Sequence, residues 1–172
     1  MVMSNISSFF VAHTAGYAES ATAPTTQTGP AANLAIYVPF VTTSPETWTR
    51  GWWYNGSVAT NQGNVAVGIY NAAGTRLATT GAVAAAGNSV IQDAAFSASV
   101  FLSPGMYYMA WEASASGATS CFGYAASLPR GREAGAFIQN VGSHPLPATA
   151  TFATWSSQIM PVFGIARTSF AI

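Results

Sequence analysis

The sequence predicts an all-β protein: an antiparallel, jelly-roll-like β-sandwich over residues 34–172 with an extended N-terminal arm over residues 1–33. Apolar side chains alternate with a period of two. Val65, Val67 and Ile69 fall on one face while Ala66, Gly68 and Tyr70 fall on the other, as in a strand whose successive side chains point to opposite sides. Turn signals follow one another at close spacing, and no stretch sustains the 3.6-residue period of an amphipathic helix. Such a pattern describes two antiparallel sheets stacked face to face.

Along the chain, residues 19–33 (ESATAPTTQTGPAAN) are rich in Thr, Ala and Pro and lack a periodic apolar face, which predicts an extended arm or linker. Ahead of it, Phe9, Phe10, Val11 and Tyr17 are too apolar for a plain solvated tail, so this segment is expected to dock, on its own domain or on a neighbouring subunit. In LAIYVPFV, Pro39 cannot donate to a ladder and is expected at an edge or a bulge. In TWTRGWWYNGSV, Trp48, Arg50 and Trp52 alternate against Thr49 and Gly51, and Asn55–Gly56 reads as a turn pair tolerant of positive φ. Trp52 and Trp53 are adjacent and must point to opposite faces, which makes one of them the candidate exposed contact.

The stretch NAAG reverses the chain, with Gly74 taking the left-handed conformation, and TRLATT returns. Alanine favours helix, yet GAVAAAG is too short to be a stable one, so strand or loop is expected there. SVIQDAAF and ASVFL lead to a Ser103-Pro104-Gly105 turn with Gly105 at positive φ. In MYYMAWEA both faces are apolar, as in a central strand covered on both sides. TSCFGYAA, TATFATW and IMPVFGIAR supply three more strands, and the long irregular stretch 125–147 is expected to carry contacts.

Charge narrows the function classes. Only 6% of the 172 residues are charged, against about 25% in an average globular domain. The net charge is zero, and all five basic residues are arginines. Such a chain has no field to collect nucleic acid, and without colloidal repulsion a free monomer tends to associate. The single Cys121 cannot close an intrachain disulfide and reads as a small buried hydrophobe. No apolar run reaches the roughly 18 residues of a membrane span. Ala21-Thr22-Ala23 mimics a cleavage site, but no Lys or Arg precedes Arg50, so the start reads as mature sequence.

No catalytic, cofactor or metal-binding motif emerges. His13 and His144 lack ligand spacing, no G-x-S-x-G elbow is present, and phosphate-binding glycine loops are absent. Asp93 and Glu112 lie on expected strands and could in principle approach as a carboxylate pair, with ordinary strand-face hydrogen bonding as the simpler alternative. The aromatics Trp48, Trp52, Trp53, Tyr54, Tyr70, Tyr107, Tyr108 and Trp111 could stack on a host glycan or pack between two sheets. Arg130, Arg132, Glu133 and His144 are either solvated loop residues or an intersubunit anchor. The candidate assembly or ligand contacts are therefore Phe9, Phe10, Trp52, Trp53, Arg130, Arg132 and His144.

NVAVGIYNAAGTRLATTG, AVAAAGNSVIQDAAF, FLSPGMYYMAW, HPLPATATFA and MPVFGI, in that order within residues 34–168, resemble a β-sandwich repeat of tailed-bacteriophage virion proteins, which include tail fibres, minor structural proteins and head decorations. The resemblance implies a non-enzymatic component of the phage particle surface, without cofactor. It also implies a homo-oligomer, with a trimer favoured, whose partners are the major capsid protein or other virion proteins rather than nucleic acid or membrane. Fibre proteins usually bring a long trimerising shaft, and this chain has none. The resemblance therefore points to a capsid decoration or cement subunit whose arm ties it to the capsid or a sister copy. The alternative it leaves is a tail-fibre or receptor-binding module recognising host-surface carbohydrate.

Overall fold

In a computed structural model of the protein, residues 11–13, 25–125, 135–142, 144–156 and 159–168 are described. The strands are β1 (Val11–His13), β2 (Thr25–Gln27), β3 (Leu34–Thr42), β4 (Glu46–Tyr54), β5 (Asn64–Asn71), β6 (Arg76–Thr79) and β7 (Val83–Ala84). They continue as β8 (Ile91–Leu102), β9 (Gly105–Ala113), β10 (Cys121–Ala125), β11 (Phe137–Asn140), β12 (Ala153–Thr154), β13 (Ile159–Pro161) and β14 (Phe163–Ala166). One 3-10 turn, Ala59–Gln62, joins β4 to β5. All strand pairings are antiparallel.

The strands form a seven-stranded sheet in the order β12-β11-β3-β9-β5-β6, with β7 also on β5, and two smaller sheets, β1-β14-β4-β8 and β13-β10-β2. The smaller sheets are linked through Val162, which donates to Phe122 O at 2.8 Å and accepts from Tyr54 N at 2.9 Å. A core between the layers holds them together: Ile36 and Val38 of β3, Val65, Val67 and Ile69 of β5, and Met109 and Trp111 of β9 share one cluster with Trp53 of β4, Phe96 of β8 and Phe163 and Ile165 of β14. Removing this apolar surface from water is the main term stabilising the fold. The expected all-β antiparallel sandwich is thus the observed architecture, and β9 is its central strand, buried on both faces.

Pro39 lies within β3 opposite Tyr108 of β9, and the β11 ladder on the other side of β3 stops at Tyr37, so among the described residues no ladder on that side needs its missing N–H. Other local expectations are corrected. Trp48 does not share a face with Arg50, because the β4–β8 register shifts between them; this bulge turns Trp48 into the core while Arg50 points outward to Asp93. Neither Asn55, Gly56 nor Gly105 takes a positive φ. Asn55 instead is fully buried and linked to Trp53, Gln62, Ala86 and Gln92. GAVAAAG is strand and loop, as expected, with Val83–Ala84 as its strand.

Two glycines show why the layers fit. A Cβ on Gly51 would stand 2.5 Å from Val67 Cβ, so its bare backbone lets β4 lie close over β5. Gly74 ends the NAAG turn at φ +83 as expected, and a Cβ there would also meet Ala150 O at 2.9 Å.

Most of the N-terminal arm lies outside the described residues. Its described parts are tied to the sandwich: β1 pairs with β14, β2 pairs with β10, and Gly29 N donates to Ser120 Oγ at 3.1 Å.

Candidate functional site

Of the sequence-predicted contacts, Phe9, Phe10, Arg130 and Arg132 lie outside the described residues, as does Glu133. Trp52 and Trp53 do point to opposite faces, but neither is exposed: Trp53 lies in the inter-layer core at 1% exposure, and Trp52 is packed with Val162 and Ala166 on the outer side of the smaller layer at 5%. The expectation that one of them is an exposed contact is corrected. All five tryptophans are buried within the chain. Beside Trp52, half-buried Tyr54 and Phe122 stack on each other at 4.2 Å, so their facing ring surfaces are already used.

The few charges are arranged in a consistent way. Arg50 pairs with Asp93, Arg167 pairs with Glu46, and His144 faces Glu112. Arg76 directs its guanidinium at the backbone oxygen of Leu146. Each described Arg is therefore engaged inside the chain, as are Asp93 and Glu46, while Glu112 is buried beside His144. Asp93 and Glu112 do not form a carboxylate pair: Asp93 faces out from the smaller layer beside Trp52, whereas Glu112 faces out from the larger sheet. Among the described residues no group of three His, Cys, Asp or Glu could hold a metal ion, and no helix is long and apolar enough to cross a membrane. The Cys121 thiol is buried, which pushes its pKa up to about 12 and makes it a poor nucleophile.

The most unusual polar arrangement lies on the outer face of the seven-stranded sheet. Tyr37, Ala66, Tyr70, Tyr108 and Ala110 line that face, and residues 144–152 cross it as a strap, inserting Leu146 and Ala150. Polar ties hold the strap in addition to the Arg76 guanidinium on Leu146 O. Tyr70 Oη donates to Pro147 O at 2.6 Å, Arg76 N donates to Ala148 O at 2.9 Å, and Ala150 N donates to Gly74 O at 2.8 Å. Gln139 Oε1 accepts from both Tyr37 Oη and Thr151 N at 2.8 Å.

Beneath the strap Glu112 has 0% exposure, and its Oε1 approaches His144 Nδ1 at 3.3 Å. The approach falls outside hydrogen-bond geometry: neither Glu112 oxygen and neither His144 ring nitrogen has a hydrogen-bond partner. Burial is the largest cause of each shift around the pair. It raises Glu112 to about 7, lowers His144 below its ordinary value, and raises the Tyr37 and Tyr70 phenols. His144, predicted as a surface loop residue or an intersubunit anchor, is therefore an internal contact with a side chain only 9% exposed. Sequence reasoning placed Glu112 on a strand and missed its partner, because the two residues meet only when the strap folds back over β9.

Large apolar side chains remain outside. Phe101 is 66% exposed, Met106 47% and Val41 42%, with Val41 and Met106 opposite one another on β3 and β9. Val58, Val90 and Ile91 are also exposed. In comparisons with known proteins, no family model, no curated protein and no solved structure matches this chain.

Proposed function

We propose that the protein is a non-enzymatic structural subunit that works through contacts with other protein surfaces, as a decoration or accessory subunit on a tailed-phage particle. The observation that carries this reading is the internal pairing of charge. Each described Arg is engaged within the chain, as are Asp93 and Glu46, and Glu112 is fully buried, while Phe101, Met106, Val41, Val58, Val90 and Ile91 face outward. A surface of that composition presents neighbours with apolar contacts and few ions to desolvate, as the centres of protein interfaces do. The particle setting is supported by the ordered strand motifs that resemble phage virion sandwiches.

Electron microscopy of the assembly isolated from its native source tests the reading. Regularly spaced copies on a particle are the expected result. A solitary protein bound to no other chain would overturn it.

A further inference from the structure

We propose that the free edge of β8 pairs with the same edge of a second copy: the two β8 strands run antiparallel about a twofold axis, and the smaller layer becomes one sheet continuous through both chains. The inference rests on the assembly reading and names the partner for one part of that surface.

The ladder to β4 fixes which backbone groups are left over. β8 is the last strand of its sheet, with β4 on one side and no strand on the other among the described residues. Asn55 N donates to Val90 O at 2.9 Å, which makes this pair a hydrogen-bonded one. Antiparallel ladders alternate hydrogen-bonded with non-hydrogen-bonded pairs. In the same register, Trp53–Gln92 and Gly51–Ala94 are therefore bonded, and Tyr54–Ile91, Trp52–Asp93 and Arg50–Ala95 are not. Tyr54 N accordingly turns away from β8 and donates to Val162 O at 2.9 Å. Ile91, Asp93 and Ala95 thus direct their N–H and C=O groups to the open side, where no described group meets them.

The devices that commonly keep such an edge from pairing are lysine, proline and unpaired charge. β8 holds no lysine and no proline. Asp93 is its sole charged residue and is held by Arg50. The register shift against β4 lies in the middle of the strand, between Ala95 and Val100, and leaves both ends regular.

The side chains select a second copy as the occupant. Ala94, Phe96, Val100 and Leu102 pack on the core, which leaves Ile91 and Phe101 on the outer side, 36% and 66% exposed. A strand that runs the other way brings Ile91 of each copy beside Phe101 of the other, so one twofold operation covers both apolar ends twice. An axis normal to the sheet keeps the two outer faces on the same side and sets the outward donors of each strand against acceptors of the other, as a self-complementary contact requires.

Ala95→Pro tests the pairing in the full-length chain. The Ala95 N–H is not used by β4, so proline there removes only an outward donor and sets its ring against an incoming strand, a place where edge strands tolerate it. The urea midpoint of dilute protein is expected to match wild type, while sedimentation velocity shows association weakened by about tenfold or more. Hydrogen exchange of the wild-type chain gives a second reading. The amides of Ile91, Asp93 and Ala95 are expected to exchange freely in dilute protein and to become protected at concentrations where it associates. A folded Ala95→Pro that associates as wild type does, or edge amides that exchange alike in dilute and associated protein, overturns the β8 pairing and leaves assembly to another part of the surface. If Ala95→Pro fails to fold, the amides decide alone. Wild-type protein that stays monomeric at every concentration overturns the pairing and the assembly reading together.

Discussion

The indole N–H of Trp53 donates to the side-chain oxygen of Asn55, two residues further on, at 2.9 Å. The same oxygen accepts from Gln62 Nε2 at 3.0 Å, while the Asn55 amide donates to Ala86 O at 2.7 Å and to Gln92 Oε1 at 3.0 Å. One fully buried side chain thus joins β4, the 3-10 turn and the segment leading into β8. Asn55→Ala deletes these four bonds and strands the Trp53 and Gln62 donors without water. A loss of about 3 kcal/mol is expected, since each orphaned buried group costs about 1–3 kcal/mol. Urea unfolding followed by tryptophan emission measures it, and a loss below about 1 kcal/mol would contradict the role given to Asn55.

Gly51 and Val67 set the spacing of the layers. Gly51→Ala places a methyl 2.5 Å from Val67 Cβ, and overpacking of this kind costs about 1–3 kcal/mol. Val67→Gly alone empties part of the core and also destabilises. Combined, the two changes relieve each other, because Val67→Gly removes both the Cβ at 2.5 Å and the Cγ1 at 2.6 Å, so the double variant is expected to be more stable than the sum of the single losses predicts, by about 1 kcal/mol. Strict additivity in denaturant midpoints would show that the sheets do not touch through these residues.

The Glu112 carboxyl gives stability a pH dependence of definite sign. Its pKa is raised from 4.5 to about 7 by burial, so the folded chain keeps a proton that the unfolded chain has released. Its contribution to stability is fully present below pH 4.5 and is lost as pH rises through about 7. Wild type measured against Glu112→Gln should therefore lose relative stability across this window and run parallel above it. Chemical denaturation at half-unit pH intervals checks the difference. A constant offset from pH 4 to 8 would mean that Glu112 titrates alike in both states.

Phe101 contributes little to the fold, with two thirds of its surface in water. Phe101→Ser and Met106→Ser are expected to leave thermal unfolding of the subunit within about 0.5 kcal/mol of wild type, as surface changes generally do. The proposed function gives these side chains to neighbouring proteins, so both substitutions should weaken association. Variants with reduced stability and unchanged association would assign Phe101 and Met106 to folding instead.

What the sequence revealed follows from the range of each interaction. The alternation of β5 and β9 is legible because successive residues enter different layers, Val65, Val67, Ile69, Met109 and Trp111 on one side and Ala66, Tyr70, Tyr108 and Ala110 on the other, with no register shift between the two strands to break the period. The Gly74 turn was legible because it is local. Trp48 was assigned to the wrong face because a register shift against β8 breaks the period, and nothing within β4 itself signals it. Asn55 carries the signature of a turn, yet its role depends on Ala86 and Gln92, more than thirty residues away. The Glu112–His144 contact was out of reach for the same reason: a strap must cross three strands to make it.

Sedimentation velocity of the full-length chain at pH 7, over a hundredfold range of concentration, tests most directly whether the nearly ion-free exterior is an assembly surface. The account predicts a discrete oligomer that dissociates on dilution, with weaker association in Phe101→Ser. A single monomeric boundary at every concentration, for wild type and variant alike, would contradict it.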